Sequence, residues 1–262
     1  MNIHHRSFNI LGNIAIVNFS DKTKLKDKKT FAKEILKKNQ NIKTILEKSG
    51  KFSGRLRKMK TKYLAGEKNK EVLYMENNCV FRFNIDTTYF SPRLSNERKE
   101  IASLIKKNDE VLVMFAGVGP YSICIAKNSG VKVYSNEINR EANKYAELNI
   151  KLNKVKDKIE LIPGDIKKVA EEFKKKKQKF DVIVMPRPRL KETFLKEAFL
   201  LSKKGTRIFY YDFCKIEDEN KIIEKIKNEA KKARKKIKIL KIKQAGEIAP
   251  YKIRIRIDFE VL

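Results

Sequence analysis

The stretch EVLVMFAGVGPYSICIAKNSG, residues 110–130, decides how the rest of the chain is interpreted. Its short apolar start predicts a buried strand, and the segment from Tyr121 to Ser129 predicts a helix. The glycines between them, Gly117 and Gly119, let the backbone approach a ligand closely, and the helix start offers unpaired N–H groups and a positive dipole end. Such a loop suits a dinucleotide, a mononucleotide or S-adenosylmethionine, and the loop alone does not choose among them.

Strand-like and helix-like segments alternate regularly beyond this stretch. Five short apolar segments, counting the first, are predicted as strands at residues 110–115, 131–136, 158–164, 180–185 and 206–213. The segments that follow them are predicted as helices at residues 121–129, 140–154, 166–177, 190–205 and 218–235. This alternation is typical of a parallel sheet with helices on both of its faces.

The end of the chain departs from the alternation. The segments KKIKILKIKQ (235–244) and YKIRIRIDFEVL (251–262) both have a period of two, and no helical segment separates them. This pattern predicts an antiparallel hairpin at the edge of the parallel sheet. Five α/β units followed by a hairpin indicate the Rossmann-like fold of S-adenosylmethionine-dependent methyltransferases, because a plain dinucleotide-binding fold more often ends with a sixth parallel strand.

The first 90 residues have a different pattern. Residues 8–19 predict a hairpin of short strands, residues 27–39 predict an amphipathic helix, and further strands and turns follow. We therefore expect a small mixed α/β domain over residues 1–90, which positions tRNA and the target base, and a methyltransferase domain over residues 91–262. The two are joined near residues 87–107.

The charge balance indicates a polyanionic partner. Lysine and arginine number 62 against 32 acids, which gives a formal net charge of +30. Nucleic acid is the commonest polyanion. A lysine-coated surface of the thermophile type is the alternative, but such a surface carries nearly as many acids. The densest basic segment is Lys221–Lys243, with eleven Lys and Arg residues against two acids.

Other classes of protein are disfavoured by what the sequence contains. The longest apolar runs are too short to span a bilayer, and the first residues lack the apolar core of a signal peptide. We therefore expect a cytoplasmic protein without a membrane partner. Cys79, Cys124 and Cys214 lie far apart, and His4 and His5 are adjacent, so no zinc ligand set can be assembled and no metal is expected.

Three positions fall where the predicted parallel strands end, which is where such sheets bind their ligands. The first is the glycine loop, Phe115 to Pro120. The second is Glu137, whose carboxylate can accept both ribose hydroxyls, and the third is Asp165, which can meet the adenine edge. Acids after strands are often only helix caps, and Asp165 fits that alternative. Together with the terminal hairpin, the three positions favour S-adenosylmethionine as the cofactor.

The motifs TTYFSPRLSNER (87–98), FAGVGPYSICIA (115–126) and APYKIRIRIDF (249–259) resemble those of a known family. The chain is similar, from about Ser7 to its end, to the archaeal and eukaryotic tRNA (guanine-N1)-methyltransferases that modify the purine at tRNA position 37. Many members carry an additional small N-terminal domain, and we expect the archaeal form without it. The resemblance implies a monomer that uses S-adenosylmethionine and binds the anticodon stem-loop of tRNA.

The resemblance also assigns roles to individual residues. Its cofactor-contacting positions are Tyr89, Phe115, Gly117, Glu137 and Asp165. Arg57 falls at the position of a catalytic arginine, and Glu97 at the position of the catalytic carboxylate. Arg93 and Arg98 fall beside that active site, as substrate-binding residues.

The chemistry of guanine explains why an acid and an arginine are needed. Guanine N1 carries a proton at neutral pH, so a carboxylate such as Glu97 must remove it before N1 can act as a nucleophile. Negative charge then develops on O6, which a guanidinium such as that of Arg57 stabilises. Taken without the family, Glu97 is more simply a helix-start acid stabilised by the dipole, and Arg57 a phosphate contact.

Two departures from the family leave the substrate open. The family usually has an acid where this chain has Val113, and an Asn-Leu-Pro motif whose asparagine position is occupied here by Met185. We expect Met185 and Arg187 to line the pocket for the target base. The altered pocket suits an additional substrate at position 37, a wyosine precursor (4-demethylwyosine, methylated at C7).

Two alternatives to methyl transfer remain. One is transfer of the aminocarboxypropyl group from the same cofactor in the wyosine pathway, but that branch generally lacks an arginine at the position of Arg93. The other is a non-catalytic tRNA-binding relative, suggested by Val113 and Met185. The presence of the proposed base, arginine and cofactor acids in one chain counts against this second alternative.

Overall fold

The computed structural model describes residues 5–50, 54, 56 and 59–262. Within it the chain separates into two compact units, one ending at Pro92 and one running from Arg93 to Leu262. The boundary lies two residues beyond the position expected from the sequence. No helix among the described residues is long and apolar enough to cross a membrane.

The described residues of the smaller unit form a mixed four-stranded sheet, an antiparallel pair of strands and one helix. A four-stranded sheet has the order β1-β2-β3-β4, and β5 and β6 form a separate pair. The elements are β1 His5–Leu11, β2 Ile14–Phe19, α1 Leu25–Lys38, β3 Thr44–Lys48, β4 Thr61–Gly66, β5 Glu71–Glu76 and β6 Cys79–Asn84. The helix α1 connects β2 to its parallel neighbour β3 and covers a core that includes Val17, Ala32 and Ile45.

Close backbone contact and aromatic packing shape the smaller unit. Gly12, in the turn between β1 and β2, has φ +56, and a Cβ built there would lie 1.8 Å from the carbonyl oxygen of Leu73. Only glycine can occupy that position. After β6 the ring of Phe90 stacks on Phe83 with centroids 4.7 Å apart and contacts Tyr74 edge-on. This aromatic cluster holds the segment that carries Tyr89, which is partly buried.

The larger unit contains one seven-stranded sheet with the order β12-β13-β11-β10-β7-β8-β9. Its strands are β7 Val111–Met114, β8 Val133–Glu137, β9 Ile159–Pro163, β10 Phe180–Met185, β11 Ser202–Lys215, β12 Ile237–Ala249 and β13 Lys252–Val261. The five strands from β7 to β11 are parallel, whereas β13 pairs antiparallel with both β11 and β12. The predicted parallel sheet with a terminal antiparallel hairpin is therefore confirmed.

Helices precede, connect and follow the parallel strands. They are α2 Ser95–Leu104, α3 Pro120–Ser129, α4 Arg140–Leu152, α5 Ile166–Lys175, α6 Leu195–Leu201 and α7 Glu219–Lys232. The helix α6 is much shorter than the predicted 190–205, since Phe194 before it has the left-handed φ of 57°. After it, the hydroxyl of Thr206 bonds to the carbonyl of Phe180 at 2.6 Å, and this contact holds the start of β11 in the sheet.

Strand order locates the ligand-binding edge. β7 lies between β8 and β10, so the connections that leave β7 and β10 run in opposite directions across the sheet. Such a reversal opens a crevice at the carboxyl ends of the strands, where ligands bind. All four residues of β7 are fully buried, as expected for a strand covered on both faces.

Candidate active site

The glycine loop between β7 and α3 is shaped by positive φ angles. Phe115, Gly117 and Gly119 have φ values of 60°, 60° and 88°. A Cβ on Gly119 would lie 3.2 Å from Cδ1 of Ile123, in a backbone conformation that other residues rarely adopt. Gly119 precedes α3 without a side-chain cap, so the first-turn N–H groups of that helix have no side-chain acceptor there.

Glu137 at the end of β8 ties this loop to the neighbouring strand. Its Oε2 accepts a hydrogen bond from the N–H of Gly117 at 2.8 Å, and its Oε1 accepts one from the N–H of Asn139 at 2.7 Å. A carboxylate oxygen has two lone pairs and can accept more than one hydrogen bond, so a ribose hydroxyl is a chemically suitable further donor. The arrangement orients the carboxylate before any ligand arrives.

Asp165 and Phe115 are the remaining residues that the sequence places at the ligand-binding edge of the sheet. Asp165 is the N-cap of α5 and accepts from the N–H of Lys167 at 3.0 Å, so the capping role is present. Its contact with a cofactor remains a prediction. The partly buried ring of Phe115 meets Phe194 edge-on with centroids 5.0 Å apart. The N–H of Gly164 bonds to the carbonyl of Glu137 at 2.9 Å and joins the second and third loops.

Three asparagines that the sequence analysis missed hold these loops in place. The amide of Asn136 donates to the carbonyl oxygens of Ile162 and Gly164, at 2.8 and 3.1 Å. Asn149, fully buried on α4, donates to the carbonyl of Val118 in the glycine loop at 3.0 Å. Asn143 donates in the same way to the carbonyl of Glu137, at 2.9 Å. For Asn149 alone the sequence held a signal, since this asparagine lies among the buried apolar positions of a predicted helix.

The second part of the site lies at α2. Glu97, in the first turn of α2, is 5% exposed. Its Oε2 accepts from the hydroxyl of Tyr211 at 3.0 Å and from Nη1 of Arg256 at 2.7 Å, and its Oε1 accepts from Nζ of Lys243 at 2.5 Å. Tyr211, Arg256 and Lys243 are directly paired across β11, β13 and β12, so they form one row under α2.

The arginines near Glu97 have different surroundings. Arg98 is 1% exposed, and its guanidinium carbon lies 5.9 Å from the ring centroid of Tyr121. Burial raises the pKa of Tyr121 to about 12. Arg93 is exposed in a short 3₁₀ turn, Pro92–Leu94, before α2. Arg57 lies outside the described residues, and Tyr89 belongs to the smaller unit, so both remain predictions.

The segment after β10 is held by buried contacts. Met185 has no exposed surface and belongs to the main core of the larger unit. Arg187 is 3% exposed, and its Nη1 pairs with Oδ1 of Asp212 at 2.5 Å. Its Nη2 donates to the carbonyl oxygens of Leu190 and Glu192. In this structure Arg187 therefore fixes the loop that follows β10. Contacts of Met185 and Arg187 with the substrate remain a prediction.

These observations define a class of protein. The loops after β7, β8 and β9 offer backbone N–H donors, an uncapped helix start and a strand-end carboxylate, and this donor set fits the carboxylate and ribose of S-adenosylmethionine. With the parallel sheet and terminal hairpin, they define an S-adenosylmethionine-dependent methyltransferase. Among the described residues, no cluster of His, Cys, Asp and Glu side chains is placed to hold a metal ion.

Comparison with known proteins identifies the family. The model of the TRM5/TYW2 methyltransferase domain matches residues 72–240, and that of the TYW2 N-terminal domain matches residues 2–69. The chain belongs to the TRM5/TYW2 methyltransferase family. A relative from Nanoarchaeum equitans, named tRNA (guanine(37)-N(1))/4-demethylwyosine(37)-methyltransferase Taw22, is 34% identical over 98% of this chain and 100% of its own length.

Solved structures agree with this assignment. The crystal structure of wild-type Trm5b from Pyrococcus abyssi has a TM-score of 0.84 and 34% identity, covering 98% of this chain and 75% of that one. A complex of aTrm5 with tRNALeu also has a TM-score of 0.84, with 28% identity over 99% of this chain and 73% of that one. The protein is thus an S-adenosylmethionine-dependent enzyme of this family.

Proposed function

We propose that this protein transfers a methyl group from S-adenosylmethionine to N1 of guanosine at position 37 of tRNA. The observation that carries the proposal is Glu97, a nearly buried carboxylate surrounded by donors, in a chain whose relatives over most of their length are named for this reaction. The same proposal includes the anticodon stem-loop as the bound part of tRNA, a monomeric state, a cytoplasmic location and the two-domain division predicted from the sequence.

The cofactor residues act by binding and orienting. The backbone N–H groups at the start of α3 are proposed to receive the cofactor carboxylate, and Glu137 its ribose hydroxyls. Phe115, in the glycine loop, and Asp165, in the loop after β9, would meet the adenosyl part. When bound, S-adenosylmethionine supplies an electrophilic methyl carbon, whose bond to the sulfonium sulfur breaks with the electron pair left on sulfur.

Glu97 is proposed to generate the nucleophile. It takes the N1 proton of the target guanine, and the electron pair left on N1 forms the new bond to the methyl carbon. A positioned general base of this kind contributes about 10²–10⁴-fold to a rate. Arg57 is proposed to stabilise the charge that develops on O6, and Arg93 and Arg98 to bind the substrate beside the base. Burial of Glu97 keeps bulk water from competing for the proton transfer.

Methylation of a wyosine precursor is a second candidate. The relative that matches over its whole length is named for both guanosine-37 and 4-demethylwyosine-37, and the match to the TYW2 N-terminal domain covers residues 2–69. The loop after β10 differs from the family's Asn-Leu-Pro motif and is held by Arg187. This difference in sequence supports the second candidate, because the loop is proposed to line the pocket for the target base.

Mass spectrometry of nucleosides tests both candidates. The enzyme is incubated with S-adenosylmethionine and either a transcript with guanosine at position 37, the same transcript with adenosine there, or tRNA that carries 4-demethylwyosine. We expect 1-methylguanosine from the first, no product from the second, and a methylated precursor from the third if the second candidate holds. Addition of an aminocarboxypropyl group, which has a different mass, or the absence of any product would contradict methyl transfer.

A further inference from the structure

The two carboxylate oxygens of Glu97 have unequal surroundings. The donors to Oε2, Tyr211 and Arg256, are 1% and 0% exposed. The donor to Oε1, Lys243, has a side chain that is 32% exposed. Oε2 is therefore held from inside the protein, whereas among the described residues Oε1 accepts from the partly exposed side chain of Lys243.

Arg256 is itself fixed before it reaches α2. Asp258 lies two residues further along β13, on the same face of the strand. It pairs with the guanidinium through two hydrogen bonds, Nε to Oδ1 at 2.8 Å and Nη2 to Oδ2 at 3.0 Å. A planar guanidinium bound along one edge presents its remaining N–H groups in fixed directions. Arg256 therefore offers Nη1 to Glu97 in a preset orientation.

The same guanidinium binds a second residue of α2. Its Nη2 donates to Oε1 of Glu100 at 2.7 Å, and Glu97 and Glu100 lie three residues apart on one face of the helix. Two points of attachment prevent α2 from rotating about its axis relative to β13. The hydrogen bond from Arg256 lowers the pKa of Glu100 to about 2, so this attachment stays ionic at the pH of any activity assay.

We infer that Arg256 is a positioning residue for the base: it immobilises Oε2 of Glu97, so that Oε1 is the oxygen that takes the proton from guanine N1. The inference rests on the proposed function. In this step the N1–H bond breaks and the proton joins Oε1, while the electron pair stays on N1 for bonding to the methyl carbon. Lys243 leaves Oε1 when the guanine arrives, and its second carboxylate partner, Glu100, retains the ammonium group.

The test replaces Arg256 by lysine, which keeps the charge but lacks the fork that binds Asp258 and Glu97 together. We expect the single-turnover rate of Arg256→Lys to fall by about 10- to 100-fold, the usual cost of a misplaced reacting group. The rising part of the pH–rate profile should move to higher pH, because the carboxylate loses a donor that favours its ionised form. The affinity for S-adenosylmethionine and KM for tRNA should not change.

The matched control is Arg254→Lys, the same substitution two residues earlier on β13, where the guanidinium lies 5.2 Å from the ring centroid of Phe213. We expect this control to keep the wild-type rate and pH profile. Asp258→Asn is a second variant, which loosens the guanidinium without touching Glu97, and it should shift the pH profile in the same direction by a smaller amount. Thermal unfolding of every variant shows whether the fold is retained.

A double-variant cycle decides the outcome. If Arg256 acts through Glu97, Arg256→Lys should cause no further loss in the Glu97→Gln background. An equal loss in both backgrounds, or an unchanged pH profile in both Arg256→Lys and Asp258→Asn, would overturn the inference. Failure of the proposed function gives a different result, since the wild-type enzyme would then form no 1-methylguanosine at all.

Discussion

The larger unit has two polar regions that are built in opposite ways. At the edge that carries the glycine loop, Glu137 accepts from backbone N–H groups, and asparagine amides bond to backbone carbonyls. Beneath α2, Glu97 accepts from an arginine, a lysine and a tyrosine. The partners are 20 residues apart between Gly117 and Glu137, but 159 residues apart between Glu97 and Arg256.

The difference shows how each region does its proposed work. At the cofactor edge, backbone N–H groups orient the carboxylate of Glu137, and asparagine amides hold the loops around it. The region under α2 holds a charged side chain in place with other charges, which is costly unless every group is paired. We therefore expect substitutions under α2 to affect the chemical step, and substitutions at the glycine-loop edge to affect binding and stability.

The strongest test of this contrast is Glu97→Gln. Shape is nearly conserved, so the fold and the affinity for S-adenosylmethionine should persist, whereas single-turnover methyl transfer should fall by about 10²–10⁴-fold. Glu100→Gln, on the same helix face, should lose much less. A wild-type rate for Glu97→Gln on guanosine-37 tRNA would show that another group is the base.

Glu137→Ala tests the cofactor edge. The ribose would lose a charge-assisted partner, so the affinity for S-adenosylmethionine should weaken by about 1.5–3 kcal/mol in calorimetry. Glu141→Ala is the matched control, because that side chain is 44% exposed at the start of α4 and pairs only on the surface with Lys144. Unchanged affinity in Glu137→Ala would show that this residue does not bind the cofactor. The region under α2 would then be the one polar region with a tested function.

Asn149→Ala tests whether the asparagine amides that bond to backbone carbonyls hold the glycine loop in place. Removal of the amide leaves the carbonyl of Val118 buried without its partner, which should lower the free energy of unfolding by about 1–3 kcal/mol. Because the glycine loop loosens, cofactor affinity should fall as well, and methyl transfer at saturating cofactor should not. A loss confined to the chemical step would contradict the division between the two regions.

The smallest effect is expected on the outer surface. Neutralising Lys231, Lys232, Arg234 and Lys235, at the end of α7 and just after it, should flatten the dependence of tRNA affinity on salt if these cations release counterions from the phosphate backbone. The alternative is that these cations lie on a solvated surface away from tRNA. Neutralising them then changes local ion pairs, such as that of Lys232 with Glu229 at 2.7 Å, and leaves tRNA affinity as it is. An unchanged salt slope would place the tRNA on other parts of the chain.

The sequence predicted the cofactor edge far better than the cluster under α2. The succession of strands and helices, the terminal hairpin and the loop positions all follow from local periodicity and turn residues, which short segments contain by themselves. The row of Tyr211, Arg256 and Lys243 depends on strand register, which the pattern alone does not specify. Arg256 looks like one more cation in an alternating strand until its neighbours are known.

Individual residues explain the remaining differences between the predicted and observed elements. The helix α6 is short because Phe194 before it has a left-handed conformation, and because Thr206 after it bonds to β10. Helix propensity predicts neither of these two features at the ends of α6. Likewise, residues 245–249 belong to β12, although the predicted first strand of the hairpin ends at residue 244. The role of Arg187 in holding the loop after β10 follows from a buried partner, Asp212, that lies 25 residues away.

The position of β12 at the edge of the seven-stranded sheet has a consequence for how the protein behaves in concentrated solution. A strand of 13 residues with an open edge can pair with another copy of itself and nucleate aggregation. Lys238 is exposed on this strand, and its charge repels the same residue of a second copy brought alongside. Variants that remove this lysine should therefore be checked by light scattering, because lost solubility would otherwise be mistaken for lost affinity.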